Sequence, residues 1–127
     1  MTPPVATELC RGEDIAARFS PDEFDIAYAR NSIDHSIDPM RVIENMVEVV
    51  RPGGAIVLRH YRCEAEVMHY EQGHQWNFDV DQDRLLVWGK RVTYDVTDRL
   101  RDRATVVART HPSSYHADWV EASITPR

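Results

Sequence analysis

The segment of residues 24–58 constrains the fold more than any other part of the sequence. It opens with an apolar run at 24–29, which is typical of a buried strand. Asp38 and Pro39 then form a strong helix start, because Asp caps the first turn and Pro loses no hydrogen bond there. The apolar residues that follow, at three- and four-residue spacing, predict a helix with one buried face: Met40, Ile43, Met46, Val47 and Val50.

The run Arg51-Pro52-Gly53-Gly54 is expected to end this helix and lead into a second apolar run at 55–58. Pro cannot continue a helix, and glycine accepts the positive φ that closes one. Strand, helix, glycine turn and strand make a βαβ unit, whose strands are parallel neighbours joined by a right-handed crossover. The sequence therefore predicts an α/β fold.

The second half of the chain predicts antiparallel structure around one more helix. Two apolar runs flank Asp81-Gln82-Asp83 as a hairpin, and a second hairpin closes the chain. The expected elements are a hairpin of 76–80 and 85–88, a helix at 94–103, and a hairpin of 105–108 and 119–124.

Composition narrows the classes of partner. The 127 residues suffice for one domain, and a net charge of -6 argues against nucleic acid, as does the alternation of Arg with Asp at 98–103. No apolar run reaches the ~20 residues that cross a bilayer, and no secretory signal is visible, so we expect no membrane partner and a cytoplasmic location. Cys10 and Cys63 form no metal-ligand spacing and are expected to be free thiols.

Four short motifs follow one another in a fixed order: the Phe-Asp strand at 24–29, Asp34-His35, the Asp-Pro helix start, and the Arg-Pro-Gly-Gly turn. In this order and spacing they resemble class I S-adenosylmethionine-dependent methyltransferases, from the family's fourth strand to its fifth. The resemblance implies an α/β fold with a partial Rossmann-like sheet, made of the fourth to seventh strands, and a hairpin insertion after the fifth.

The resemblance also divides the chain, as one partial domain of residues 1–127. Residues 1–23 correspond to a remnant of the third strand and an adenine-side loop, and 24–61 to the βαβ core. An insertion or lid follows at 62–92, and 93–127 correspond to the family's last helix and terminal hairpin.

The family's glycine-rich loop has no counterpart in this sequence, which contains no GxGxG. In such folds that loop lets the backbone approach the ligand, so its absence removes the wall for the cofactor's ribose and amino-acid portion. We expect weak cofactor binding or none. The bare edge of the fourth strand also predicts self-association, or pairing with a complementing N-terminal half.

For the cofactor, S-adenosylmethionine, the resemblance implies contacts from an acidic segment and from the end of the fourth strand. Arg11 stands where the family usually has Asp, and the alternative for this segment is a solvated acidic turn. The cofactor-binding residues implied are Glu13, Asp14, Ile15, Ala29 and Asn31.

Two histidines follow the strands of the βαβ unit. Open α/β sheets bind ligands at the carboxyl ends of their strands, where His35 and His60 are expected. An imidazole with a pKa near its usual ~6.5 can take a proton from an acceptor hydroxyl, so both are candidate catalytic residues. The alternative for His35 is that it anchors its loop against the following helix.

The insertion carries polar residues between aromatic ones, as a pocket for a polar small molecule would. Long excursions at the ligand end of a sheet are often lids or specificity elements. His74, Trp76 and Asn77 are therefore candidate substrate-binding residues, with packing of the hairpin as the alternative. No metal site is expected, because the spacing of Glu64, Glu66, His69 and His74 matches no known signature.

Taken together, the sequence predicts S-adenosylmethionine-dependent methyl transfer to a small-molecule acceptor, incomplete in this chain alone. The acceptor atom stays open among oxygen, nitrogen and carbon. The alternative is a non-catalytic remnant or interaction module that has lost cofactor binding.

Overall fold

The computed structural model describes residues 4–127, which form two β-sheets and a layer of helices. None of the helices in this part of the chain is long and apolar enough to cross a membrane. The elements in chain order are α1 Ile15–Arg18, β1 Phe24–Arg30, α2 Pro39–Val49, β2 Val50–Tyr61, α3 Glu64–Val67, β3 Asn77–Asp81, β4 Arg84–Trp88, β5 Thr93–Asp95, α4 Val96–Arg99, β6 Ala104–His111 and β7 Trp119–Pro126.

The larger sheet has four strands in the order β1-β2-β7-β6. β1 and β2 are parallel neighbours, with Ala29 opposite Leu58, which confirms the predicted crossover. β7 lies between β2 and β6 and runs antiparallel to both, so the terminal hairpin is also confirmed. β1 is an edge strand, because no other strand of residues 4–127 pairs with its far side.

The helix α2 begins as the sequence predicts and ends earlier. Asp38 caps it, since its Oδ1 accepts a hydrogen bond of 3.1 Å from the amide of Arg41, and the predicted apolar face is buried. Val50 already belongs to β2, so the run at 51–54 lies within the strand as a bulge rather than closing the helix. Gly53 adopts a φ of 76° there, a conformation that glycine takes without steric cost.

The insertion forms the second sheet, of order β3-β4-β5. The predicted hairpin of β3 and β4 is confirmed, and its turn is Gln82-Asp83, both with positive φ. The helix expected at 94–103 is wrong in extent. Residues 93–95 pair with β4 as β5, and the carboxylate of Asp95 then caps a helix of a single turn, Val96–Arg99. Beyond that turn the residues are mostly charged and bury only Leu100, so nothing stabilises a longer helix.

The expected remnant of a third strand is absent from residues 4–11, and residues 1–3 of that prediction lie outside the described part of the chain. A strand forms only beside another strand, and none of the described strands is adjacent to this segment. A turn of 3₁₀ helix, Gly12–Asp14, and α1 follow instead and pack against α2.

The two faces of the four-stranded sheet differ. The inner face, which carries Ile56, Leu58 and His60 of β2, is covered by α2 and the second sheet and belongs to the hydrophobic core. The outer face carries the alternate residues, including Ile26 and Tyr28 of β1, which are 67% and 57% exposed. In residues 4–127 no element covers this part of the outer face.

Candidate functional site

The loop of residues 31–37, here the His35 loop, follows the carboxyl end of β1 and is anchored by His60. The Nε2 atom of His60 accepts hydrogen bonds from the amides of Ser32 (3.4 Å) and Ile33 (3.2 Å), and its ring stacks on Phe78 at 4.0 Å. The side chain is 1% exposed, and burial, with the charge of His35 adding to it, lowers the pKa of His60 from 6.5 to about 3. His60 is therefore neutral at physiological pH, and the one nitrogen that could take a proton is already occupied.

A buried carboxylate lies at the centre of the His35 loop. Asp34 is 2% exposed, and its Oδ2 accepts a hydrogen bond of 2.8 Å from Nδ1 of His74 and lies 3.5 Å from Nε2 of His35. Its Oδ1 has no partner among the described residues. In the sequence Asp34 stands out only as part of a motif, and this role was not predicted. The signal was an acid next to a candidate catalytic histidine.

His35 stands at the surface of this cluster. Its side chain is 42% exposed, and its ring lies 4.4 Å from that of His74. The backbone of Gly73 approaches it so closely that a Cβ there would lie 3.0 Å from Nδ1 of His35, and Gly73 has a φ of 82°. Both observations favour glycine at this position. His35 is thus held against the insertion but remains accessible.

A first cleft of about 490 Å³ opens on one side of the His35 loop. Glu13, Ile15 and Ala29, three of the five predicted cofactor residues, line it. Asp14 is exposed and does not line it, and neither does Asn31, whose Oδ1 accepts a hydrogen bond from the amide of Tyr61 between β1 and β2. The other lining residues are Arg11, Gly12, Tyr28, Ser32, Ile33, His35, Ser36, Ile37, Val42 and Met46.

Glu13 joins the segment before α1 to the start of α2. One carboxylate oxygen, Oε2, accepts hydrogen bonds from the amides of Ile37 (2.9 Å) and Asp38 (3.1 Å). Partial burial acts to raise the pKa of Glu13, but these hydrogen bonds, together with the charge of Arg11, outweigh it and keep the pKa below its usual value. Glu13 is therefore ionised, and half of its carboxylate is used within the protein.

A second cleft of about 520 Å³ opens on the other side of the His35 loop. His35, Ser36 and Ile37 line both clefts. Trp76, a predicted substrate residue, lines the second, where its Nε1 donates a hydrogen bond of 2.8 Å to the carbonyl of Ser36. The other residues that line it are Tyr70, Gly73, Gln75, Gly89, Lys90, Arg91 and Val92.

The other two predicted substrate residues are engaged inside the protein. His74 is bonded to Asp34 and does not line the second cleft. Asn77 is fully buried, and its amide bonds to the backbone of Glu66, the hydroxyl of Tyr70 and the carbonyl of Trp88. Both side chains shape the cleft from behind its surface.

One trio of side chains has the geometry of a cation site. Asp34, His35 and His74 each offer one ligand atom, and these atoms lie within 4.8 Å of one another. The four residues weighed from sequence do not form one cluster in the described chain. Of these, Glu64 pairs with His116 at 2.7 Å, and Glu66 accepts a hydrogen bond from Tyr70.

Part of the chain is similar in sequence to a known protein family. A family described as a methyltransferase domain matches residues 3–58, from the segment before α1 into β2. No curated protein sequence matches the chain.

Several solved methyltransferase structures share the fold at low identity. A SAM-dependent methyltransferase from Methanosarcina mazei superimposes with a TM-score of 0.57 and 14% identity, over 94% of this chain and 66% of that one. A 1,6-didemethyltoxoflavin N1-methyltransferase from Burkholderia thailandensis, solved with S-adenosylhomocysteine, gives a TM-score of 0.54 and 12% identity, over 92% and 48%. The chain therefore spans about half to two thirds of the length of these proteins.

The sheet order fits this comparison. The four strands β1, β2, β6 and β7 correspond in chain order to the fourth to seventh strands that the resemblance implies, and β3 and β4 to the hairpin inserted after the fifth. The sequence match and the fold together confirm the predicted resemblance. The chain has the fold of part of an S-adenosylmethionine-dependent methyltransferase domain.

Proposed function

We propose that this chain supplies the acceptor-side half of an enzyme that transfers a methyl group from S-adenosylmethionine to a small molecule. One observation carries the proposal: His35 borders two clefts at the carboxyl end of a parallel strand, the place where α/β sheets bind ligands. We assign the donor to the first cleft and the acceptor to the second.

The first cleft fits only part of the donor. Its apolar side chains, Ile15, Val42 and Met46, offer a surface for the adenine ring, and Glu13 provides a carboxylate nearby. The sequence contains no GxGxG, so nothing in it replaces the backbone that would hold the ribose and the amino-acid portion. When bound, S-adenosylmethionine would supply a methyl carbon already activated by its sulfonium.

We assign separate roles to His35 and to the residues that hold its loop. His35 contacts the acceptor and takes its proton, since its imidazole is the exposed one. Asp34 and His74 hold that ring in place from behind. His60 was predicted to be catalytic, and we now propose a positioning role for it, because it fixes the backbone of the loop through Ser32 and Ile33.

The uncovered edge of β1 supports a complementing half as partner. Parallel strands are normally covered on both faces, whereas Ile26 and Tyr28 are exposed on the outer face of β1. A segment that pairs a strand and its glycine-rich loop with the edge of β1, and packs a helix on the outer face, would cover this region and complete the first cleft. We place the enzyme in the cytoplasm, where the free thiols Cys10 and Cys63 stay reduced.

A second candidate is the interaction module that has lost cofactor binding. The absence of a GxGxG favours it, because an interaction surface needs the open edge of β1 but not the glycine-rich loop. Calorimetry separates the two functions. The chain is titrated with S-adenosylmethionine alone, and then together with a segment containing an apolar strand and GxGxG, taken from the adjoining DNA or a neighbouring gene.

For the enzyme, we expect little or no binding to the chain alone and clear binding to the completed pair. Low-micromolar affinity of the chain alone for S-adenosylmethionine would contradict the expectation that a second segment is needed to complete the cofactor site. Absence of binding to a pair that demonstrably assembles would favour the interaction module.

A variant pair tests the role of His35 in the completed enzyme. His35→Ala is expected to abolish transfer of a labelled methyl group to an acceptor mixture, with a much smaller effect on cofactor binding, because His35 also lines the first cleft. His116→Ala is the matched control, because His116 is similarly exposed and pairs with Glu64 instead. Equal activity of both variants would remove His35 from the reaction.

A further inference from the structure

The second cleft combines positive charge with fixed aromatic rings, and we infer that it binds an aromatic carboxylate. Calling this molecule the methyl acceptor rests on the proposed function; the binding itself does not. The class follows from three features of the cleft, which are its charge, its aromatic rings and its position beside His35.

The charge of the cleft is opposite to that of the chain. Lys90 and Arg91 both line it, and none of its lining residues is acidic, although the net charge of the chain is -6. The amide of Gly89 bonds to the carbonyl of Val92 at 3.0 Å, which places the two cations at the tip of a tight turn. Neither of them forms an ion pair with a described residue, and the ammonium of Lys90 lies over the Tyr70 ring, 4.9 Å from its centroid. No described carboxylate neutralises either charge, so both cations can contact an anion.

The aromatic rings of the cleft are immobilised. Trp76 is held by its hydrogen bond to Ser36, and Gly89 lies close to the six-membered ring of its indole. The hydroxyl of Tyr70 donates to Glu66 and accepts from Asn77, so this ring is fixed at its far end. Rigid aromatic surfaces favour a flat ligand, because stacking costs little additional ordering.

The cationic turn and the His35 loop both line the second cleft. A ring with a carboxylate toward Lys90 and Arg91 can carry a second polar group toward His35. The first cleft differs, because there Arg11 is balanced by Glu13. The positive charge of the second cleft therefore favours an anionic acceptor there and disfavours the donor, which carries a positive sulfonium.

The test compares two probes of nearly the same shape, the anion 4-hydroxybenzoate and its neutral amide 4-hydroxybenzamide, in which an NH2 donor replaces one carboxylate oxygen. Binding to the 127-residue chain is measured by calorimetry at low salt, without S-adenosylmethionine. We expect the carboxylate to bind about tenfold more tightly than the amide, as a charge-assisted contact predicts. Raising the salt concentration should reduce this preference.

Charge reversal locates the contact. The double variant Lys90→Glu with Arg91→Glu is expected to lose the preference, because the new charges repel the carboxylate. Arg101→Glu is the control, since Arg101 is exposed beside α4 and does not line the cleft. Circular dichroism establishes that each variant is folded, as exposed turn positions should allow.

Three results would overturn the inference: equal affinity for the two probes, a preference that survives charge reversal, or acetate binding as tightly as 4-hydroxybenzoate. Failure of the proposed function looks different. There, the carboxylate would still bind with the expected preference, but the completed enzyme would not methylate any aromatic carboxylate.

Discussion

The inner and outer faces of the four-stranded sheet are made by alternate residues of the same strands, yet they have different environments. On the inner face, Ile56 and Leu58 are at most 1% exposed beneath α2 and the second sheet. On the outer face, apolar side chains such as Ile26 and Tyr28 are open in the described chain. The described chain thus has one complete core layer, on the inner face of this sheet.

The outer face is not uniform. Near β6 and β7 it carries pairs such as Arg109 with Glu121, which suit contact with water, and one exposed apolar side chain, Val107. Near β1 it carries Ile26 and Tyr28, which do not. This difference indicates that the stability of the chain comes from the inner face, and that the β1 side of the outer face is suited to a partner. The following predictions test this division, from the largest effect on stability to the smallest.

Matched truncations of neighbouring residues in β2 should give the largest difference between the faces. Leu58→Ala removes a fully buried side chain from the inner face, and we expect a loss of about 2–5 kcal/mol of unfolding free energy. Val57→Ala, one residue earlier on the outer face, should cost less than about 1.5 kcal/mol because Val57 is only partly buried. Urea denaturation measures both. Equal losses would mean that the faces contribute alike.

His60 should make the inner face sensitive to acid. Because burial lowers its folded pKa to about 3, the unfolded chain binds a proton below pH 6.5 that the folded chain does not. Stability therefore falls as the pH drops from about 6.5 towards 3, by about 3 kcal/mol between pH 7 and pH 4. Denaturation at the two pH values measures the loss.

A variant that cannot titrate is the control for this acid effect. His60→Gln retains an acceptor for the amides of Ser32 and Ile33 but cannot take up a proton. The loss of unfolding free energy between pH 7 and pH 4 should therefore be smaller in this variant, by about the amount assigned to His60. The same pH dependence in both proteins would exclude His60 as the source.

Glu13 should contribute a smaller amount to the unfolding free energy, through its hydrogen bonds to the start of α2. Glu13→Gln weakens the hydrogen bonds to the amides of Ile37 and Asp38, and we expect a loss of about 1 kcal/mol. Thermal unfolding near neutral pH measures it. Glu8→Gln is the comparison, since its contact with Arg18 is exposed and should contribute little. A variant as stable as the wild type would show that the Glu13 segment is not fixed to α2 in solution.

Substitutions on the outer face of β1 should have the smallest effect on stability and a clear effect on association. Ile26→Lys and Tyr28→Lys place charge on an exposed apolar edge, which opposes pairing with another chain. We expect a change in unfolding free energy within about 0.5 kcal/mol, and a shift from associated to monomeric chain in sedimentation. Unchanged association would place the contact elsewhere.

Local signals in the sequence were sufficient for the crossover. The Asp38 cap, the apolar face of α2 and the runs in β1 and β2 each depend on neighbours in sequence. The helix at 94–103 was overestimated because its first residues pair with β4, and sequence distance hides such pairing. The same reason explains the missing remnant of a third strand at 4–11, which has no described strand beside it.

The site was predictable only in outline. The position of His35 followed from where β1 ends, but the burial of His60 depends on Phe78, which lies in a different sheet. The role of Asp34 likewise depends on His74, 40 residues away. Residue type alone did not separate Trp76, which faces the second cleft, from Asn77, which faces the core.

The insertion and the His35 loop are joined by four hydrogen bonds: the amides of Gln75 and Trp76 to the carbonyl of Asp34, His74 to the Asp34 carboxylate, and the Trp76 indole to Ser36. The insertion, which lines the second cleft, is thus hydrogen-bonded to the loop that carries His35, the residue proposed to act on the substrate. Transplanting the insertion into a relative would consequently disturb the chemistry along with the selectivity, unless the loop moved with it. Evolution of new substrate preferences in such a protein has to alter both segments in step.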